Sequence, residues 1–214
     1  LLFLDDEAPH AAALNMAIDE ALLSVIPSPL LRVYRWQRPA VSFGYFQAST
    51  PILAAYPTRD AVRRWTGGGT VLHGDDLTYS ILIPQACDAA ALSPSASYEI
   101  IHTALASALV ASGHPATPAA SSADRVSQAC FENPVLHDVL VGGRKVAGAA
   151  QRRVRTGVIH QGSIQTLALP PTFGETFAAH LSPDVARAQF DILPAASQLA
   201  AVKYATRAWL EIFP

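Results

Sequence analysis

Apolar positions along the chain alternate between two periods, and each period predicts an element. Over residues 11–26, Leu14, Ala17, Ile18, Ala21, Leu22 and Val25 fall on one helical stripe, and Pro27 and Pro29 end it. Residues 30–36 and 40–46 are rich in β-branched and aromatic residues and predict strands, parted by Arg38-Pro39. Shorter strands are expected at 60–65 and 70–73, on either side of a glycine run, and a further one at 77–83, closed by Pro84. Ser93 as cap and Pro94 in the first turn open a second helix with Tyr98, Ile101, Leu105, Ala108 and Leu109 on one face, and Gly113 ends it. Residues 114–129, rich in Pro, Ala and Ser, predict a long loop. A hairpin series follows: strand 137–141, the turn Gly142-Gly143, strand 144–153, a turn at Thr156-Gly157, and strand 158–167. Two helical patterns near 172–181 and 197–213 complete the chain. Antiparallel strands with a few helices predict an α+β class with a mixed, mainly antiparallel sheet, in a single domain over 1–214.

Half of the 214 residues are hydrophobic and 15% are charged, which excludes a disordered or fibrous chain. The net charge of −2 argues against general nucleic-acid binding, and no apolar run reaches the length of a membrane span. The acidic start Asp5-Asp6-Glu7 does not resemble a signal peptide. Cys87 and Cys130 make neither a disulfide framework nor a zinc pattern, so a reducing, cytoplasmic location is expected and no metal site is. Of 15 basic residues thirteen are Arg; only Lys145 and Lys203 are Lys. Where Arg is so favoured, a retained Lys is a candidate for work that a permanently charged guanidinium cannot do, although composition alone favours chance retention of the two.

Gly67-Gly68-Gly69 follows Arg63-Arg64-Trp65-Thr66. Three glycines let a backbone approach a ligand closely, and the two arginines add positive charge for a phosphate or carboxylate; a plain flexible turn is the alternative. Neither a Walker loop nor a dinucleotide fingerprint is present. Beyond the Gly142-Gly143 turn, alternation puts Lys145, Ala147 and Ala149 on one face of a strand of small residues; the simpler reading is a hairpin-tip lysine in water. Cys130 is a candidate nucleophile if a cation beside it favours the thiolate, and otherwise a small apolar packing residue. His73 and His160 end strands, as isolated structural histidines often do.

Taken in order, Asn15-Met16-Ala17-Ile18-Asp19-Glu20, Ser42-Phe43-Gly44-Tyr45-Phe46-Gln47, Arg63-Arg64-Trp65-Thr66-Gly67-Gly68-Gly69-Thr70-Val71-Leu72-His73, Leu77-Thr78-Tyr79-Ser80, Ala129-Cys130-Phe131, Gly143-Arg144-Lys145-Val146-Ala147-Gly148 and His160-Gln161-Gly162-Ser163 resemble the lipoate/octanoate–protein transferase and ligase family, within the biotin/lipoate protein ligase superfamily. The Leu-Thr-Tyr-Ser and Ala-Cys-Phe segments look like its cysteine-dependent octanoyltransferase branch. The resemblance implies a tunnel for an eight-carbon acyl chain, with Cys130 and Lys145 catalytic and Arg64, Thr66, Gly67, Gly68, Gly69, His73, Tyr79, Ala147, Gly148 and His160 binding substrate. It implies acyl carrier protein as donor and a lysine of a lipoyl domain, from a 2-oxoacid dehydrogenase E2 subunit or the glycine cleavage H protein, as acceptor, with no nucleic acid and no membrane. No cofactor is expected for the transferase; the alternative, an ATP-dependent ligase forming lipoyl-adenylate, would use ATP and Mg²⁺. A non-catalytic lipoyl-domain or acyl-carrier binding module is the third reading. The C-terminal accessory domain of long ligases is not expected in this chain. Burying about seven methylene-like groups at roughly 0.8 kcal/mol each gives about 5–6 kcal/mol. That corresponds to a dissociation constant near 0.1 mM before ordering costs, so contacts at the acyl head or with the carrier must supply the rest.

Overall fold

The structure, a computed structural model, describes residues 1–122 and 134–214. Eight strands form the main sheet and three form a smaller one. In chain order the strands are β1 (Leu2–His10), β2 (Leu30–Trp36), β3 (Ala40–Phe43), β4 (Asp60–Arg63), β5 (Val71–His73), β6 (Leu77–Pro84), β7 (Ala116–Pro118), β8 (Val139–Val141), β9 (Arg144–Val154), β10 (Gly157–Ile164) and β11 (Ala186–Arg187). The helices are α1 (Ala12–Leu23), α2 (Ser49–Ala55), α3 (Pro94–Ala111), α4 (Phe173–Leu181), α5 (Leu193–Leu199) and α6 (Arg207–Leu210). The main sheet runs β11-β1-β2-β6-β10-β9-β8-β7 and the small one β4-β3-β5. β1 pairs parallel with β2 and β11, and β3 with β4; every other pairing is antiparallel. The expected α+β class with a mixed, mainly antiparallel sheet is the architecture found.

The central strands β2, β6 and β10 are buried on both faces, with Thr78, Ser80, His160, Gln161 and Ser163 among their buried side chains. One face carries α3 and α4 over Leu31, Val33, Tyr79, Ile81, Val158 and Ile164. The other carries α1 and α5 over Leu30, Tyr34, Leu82 and Ile159. α3 starts as its sequence dictates: Ser93 accepts a hydrogen bond from the Ala96 amide, Pro94 occupies the first turn, and Gly113 leaves the helix at φ +88°. Gly142 and Gly143 both take positive φ, as a two-residue hairpin turn requires.

Several boundaries differ from expectation. α1 ends at Leu23, and its buried face includes Asn15 and Asp19, polar residues that a hydropathy stripe discards. They are buried because Arg32 of β2 lies beneath them, donating to Asp19 Oδ1 at 2.8 Å and Asn15 Oδ1 at 2.8 Å. β1 has no sequence forecast because its acidic residues hide the strand; Asp6, the most acidic stretch's centre, accepts two bonds from Arg32. α2 is also unforecast, since Pro51 reads as a breaker yet sits in the helix's opening turn. β3 stops at Phe43 and not at residue 46, because the chain turns at Gly44 beneath the glycine run; a Cβ there would lie 2.1 Å from the Gly68 carbonyl oxygen. The expected helix over 197–213 is instead α5, a π turn (Ala200–Tyr204) and α6. The loop expected over 114–129 contains β7 at its start. Among the described residues no helix is long and apolar enough to cross a membrane.

Candidate active site

A narrow slot with a cavity volume of about 30 Å³ lies between the two sheets. Its floor is Gly148, Ala149 and Ala150 of β9, Gln161, Gly162 and Ser163 of β10, Thr78 of β6, and Tyr34 and Trp36 of β2. Ser42 of β3, Val71 and His73 of β5, Arg64 and Gly68 form the opposing wall, and Met16 of α1 contributes. From β9 across β10 and β6 to β2 is three strand spacings, about 14 Å, the length scale of a medium-chain acyl group.

Lys145 stands at the β9 end. Its side chain is 3% exposed and its Nζ lies 2.7 Å from Asp138 Oδ2, so it is not the solvated hairpin-tip lysine of the simpler reading. Asp138, wholly buried, also accepts from the Tyr98 hydroxyl at 2.7 Å and the Val135 amide at 2.8 Å. The Tyr98 hydroxyl in turn takes the Ala149 amide at 2.9 Å. Strict alternation fails here: β8 pairs Val139 with Ala147 but Leu140 with Lys145, so β9 carries one extra residue, a bulge at Val146. The Lys145 ammonium consequently ends against the α-carbon of Gly148, where a Cβ would lie 2.5 Å from Cε and 2.8 Å from Nζ. Gly148 is a floor residue of the slot, so the amine lies beside the cavity floor at a position that carries no side chain.

Arg63 and Arg64 diverge. Arg64 turns to the slot, donating to Ser42 Oγ at 2.7 Å and to the carbonyls of Gly67 and Gly69 at 2.9 and 2.7 Å. Arg63 turns away and donates to backbone carbonyls of Tyr45, Gln47, Trp209, Leu210 and Phe213, so its charge is not offered to a ligand as the doublet suggested. Gly68 adopts φ +88°, which a side chain would strain. Thr66 donates to Gln161 Oε1 at 2.8 Å, and Gln161 to Asp19 Oδ2 at 2.8 Å, which ties the glycine run to α1 through the slot floor.

At the β2 end, the Trp36 ring stacks on His73 with centroids 4.0 Å apart. His73 lies 2.7 Å from Asp76 Oδ2 through Nδ1 and 2.7 Å from Ser42 Oγ through Nε2. Burial pushes the His73 imidazole below its ordinary value, and nearby Arg64 and Arg59 push further, more than Asp76 restores. Burial raises the Asp76 carboxyl, but bonds from His73, Ser163 and the Gly74 amide outweigh it and hold it low. A carboxylate therefore faces a neutral imidazole: Nδ1–H donates to Asp76, and Nε2 accepts from the Ser42 hydroxyl.

Of the residues the resemblance assigned to binding, Arg64, Gly68, His73 and Gly148 line the slot, and Thr66, Gly67 and Gly69 support it by hydrogen bonds. Tyr79, His160 and Ala147 lie on the opposite face, because alternation along β6, β9 and β10 sends them toward α3 and α4. There Tyr79 contacts His102 Nε2 at 3.0 Å, and His160 is wholly buried beside Tyr98. Cys130 lies outside the described residues. Asp138 is the site residue that sequence reading missed; its signal is its place across the Gly142-Gly143 turn from Lys145. Trp36 and Asp76 carried no local signal.

The model of the lipoyl protein ligase A/B catalytic domain matches residues 11–179. The chain belongs to that family. Among the relatives of this lipoyl ligase-type chain, octanoyltransferase LipM of Oceanobacillus iheyensis is 36% identical over 172 residues, covering 74% of this chain and 62% of that protein. Octanoyltransferase LipM of Kyrpidia tusciae is 36% identical over 170 residues, 72% of this chain and 62% of that one. The chain thus spans about three-fifths of the length of these relatives. Among solved structures, T. acidophilum protein Ta0514 with bound lipoic acid superposes with a TM-score of 0.77 over 99% of this chain and 98% of its own, at 20% identity. A lipoate-protein ligase A bound with ATP gives 0.71 over 97% of each, at 21% identity. These likenesses establish a shared fold.

Proposed function

We propose that this chain carries the catalytic centre of an octanoyltransferase of protein lipoylation. The observation that carries this reading is the slot between the sheets, floored by backbone and small side chains, with a buried amine beside the side-chain-free Gly148 at one end. The relatives at 36% identity that are named octanoyltransferase direct the choice within the family. In the proposed reaction the Cys130 thiolate attacks the thioester of octanoyl–acyl carrier protein, forming a new C–S bond and expelling the carrier thiolate, which takes up a proton. Lys145, steered by Asp138, holds or relays that proton. Backbone N–H groups near Gly148 and the glycine run stabilise the oxyanion. The amine of a lysine in a lipoyl domain, of an E2 subunit or the glycine cleavage H protein, then attacks the acyl-enzyme. An amide forms, the Cys130 thiolate leaves, and the amine's proton passes to the Lys145 relay. Arg64, Thr66, Gly67, Gly68, Gly69 and His73 shape the channel, and the reaction runs in the cytoplasm without ATP or Mg²⁺.

Incubation with octanoyl–acyl carrier protein is expected to give a hydroxylamine-labile adduct of octanoyl mass on Cys130, absent in Cys130→Ala. Undiminished transfer by Cys130→Ala rejects the covalent route. Acyl-adenylate formation on addition of ATP moves the chain to the ligase reading, and binding without any turnover to that of a non-catalytic module.

A further inference from the structure

Lys203 is the second of the two lysines and has no part in the reaction above. It lies in the π turn between α5 and α6, a helical irregularity often found at functional places. Its Nζ sits over three rings, 4.1 Å from the Trp65 centroid, 4.5 Å from Trp209 and 4.8 Å from Tyr204. Glu20 of α1 closes the box, with Oε2 2.5 Å from Nζ and accepting the Tyr204 hydroxyl as well. Two walls belong to the approach to the glycine run. Trp65 lies between Arg64 and Thr66, whose side chains turn to the slot side, and its carbonyl accepts from Arg152 at 3.0 Å. Trp209 donates from Nε1 to the Arg63 carbonyl at 2.9 Å. A compact ammonium attracts all three ring faces together, whereas a planar guanidinium can lie flat on one or two.

We propose that Lys203 is a positioning residue that pins Trp65 from outside the slot and so fixes the glycine run on its inside. Its effect on catalysis rests on the octanoyltransferase reading; its effect on the loop does not. In ligand-free Lys203→Met, amide hydrogen exchange over residues 66–70 is expected to quicken about tenfold while exchange in β10 is unchanged. The KM for octanoyl–acyl carrier protein should rise about tenfold, with kcat within about twofold, as loss of substrate positioning predicts. Lys203→Arg keeps the charge but not the three-sided fit, and should leave residues 66–70 exchanging faster than in the parent. If the single Met variant fails to fold because Glu20 is left unpaired, Glu20→Gln with Lys203→Met takes its place. Parent-like exchange over 66–70 in the Met or Arg variant overturns the proposal, as does quickening spread equally through β10. A parent protein without transfer activity overturns the functional reading while the exchange measurement still decides the role of Lys203.

Discussion

Lys145 and Lys203 each set an ammonium against a carboxylate, Lys145 with its side chain 3% exposed and Lys203 with 19%, and their neighbours differ too. At Lys203 three aromatic rings stand around the ammonium beside Glu20, so the charge helps to hold elements together. At Lys145 one neighbour is the α-carbon of Gly148, a floor residue of the slot. Pairing with a carboxylate alone therefore does not separate a bracing amine from a working one; the rings around Lys203 and the slot floor beside Lys145 do.

Replacing each lysine with Met tests this contrast most severely. Lys145→Met should cut kcat for octanoyl transfer by about 10²–10⁴-fold, the range of proton-transfer catalysis, with KM within about threefold. Lys203→Met should show the reverse split, and equal changes in kcat and KM at both sites would dissolve the distinction. Acid is the next lever, because His102 lies in the Lys145 half. Burial drives its pKa down to about 4, and Asp138 only partly opposes this. Unfolded histidine binds its proton below about 6.5, so stability is lost as pH falls from there toward 4, on the order of 3 kcal/mol from this group. Urea unfolding at pH 7 and pH 4.5 should reveal the loss, and His102→Gln should shrink it; an equal loss in both proteins counts against His102 as its source. Gly148→Ala is a finer probe. The added methyl meets the Lys145 ammonium and lies 3.1 Å from Asp138, so the buried pair must shift and urea stability should fall by about 1–3 kcal/mol. Transfer should fall about tenfold as well, and parent-like kcat would mean the amine does not act across that position. Smallest is Trp36→Ala, which opens the end of the slot away from Lys145. A further methylene accommodated there is worth about 0.8 kcal/mol, so competition between nine- and eight-carbon donors should shift about fourfold toward the longer. An unshifted ratio would place the chain's end elsewhere.

Elements announced by neighbouring residues were legible in the sequence: α3 from Ser93 and Pro94, the β8–β9 hairpin from Gly142-Gly143, and the central strands from their apolar runs. β1 escaped because its acidic residues are explained by Arg32, distant in the chain. The family motifs brought the right segments together, but alternation could not orient them all. One bulge at Val146 carries Lys145 to Gly148, while unbroken alternation keeps Tyr79 and His160 on the far face. Asp138 and Trp36 became site residues only through pairing across strands.

Among the described residues Arg63 hydrogen-bonds to main chain alone. Its guanidinium engages carbonyls on either side of Phe46 and along the closing segment, and it lies over the Phe43 and Phe213 rings. The path of the closing segment is thus tied to β4 through its carbonyls, while the Trp209 and Phe213 rings pack against Tyr45. A lysine in place of Arg63, with three donors on one nitrogen in place of a five-donor fork, would leave some of those carbonyls without a donor.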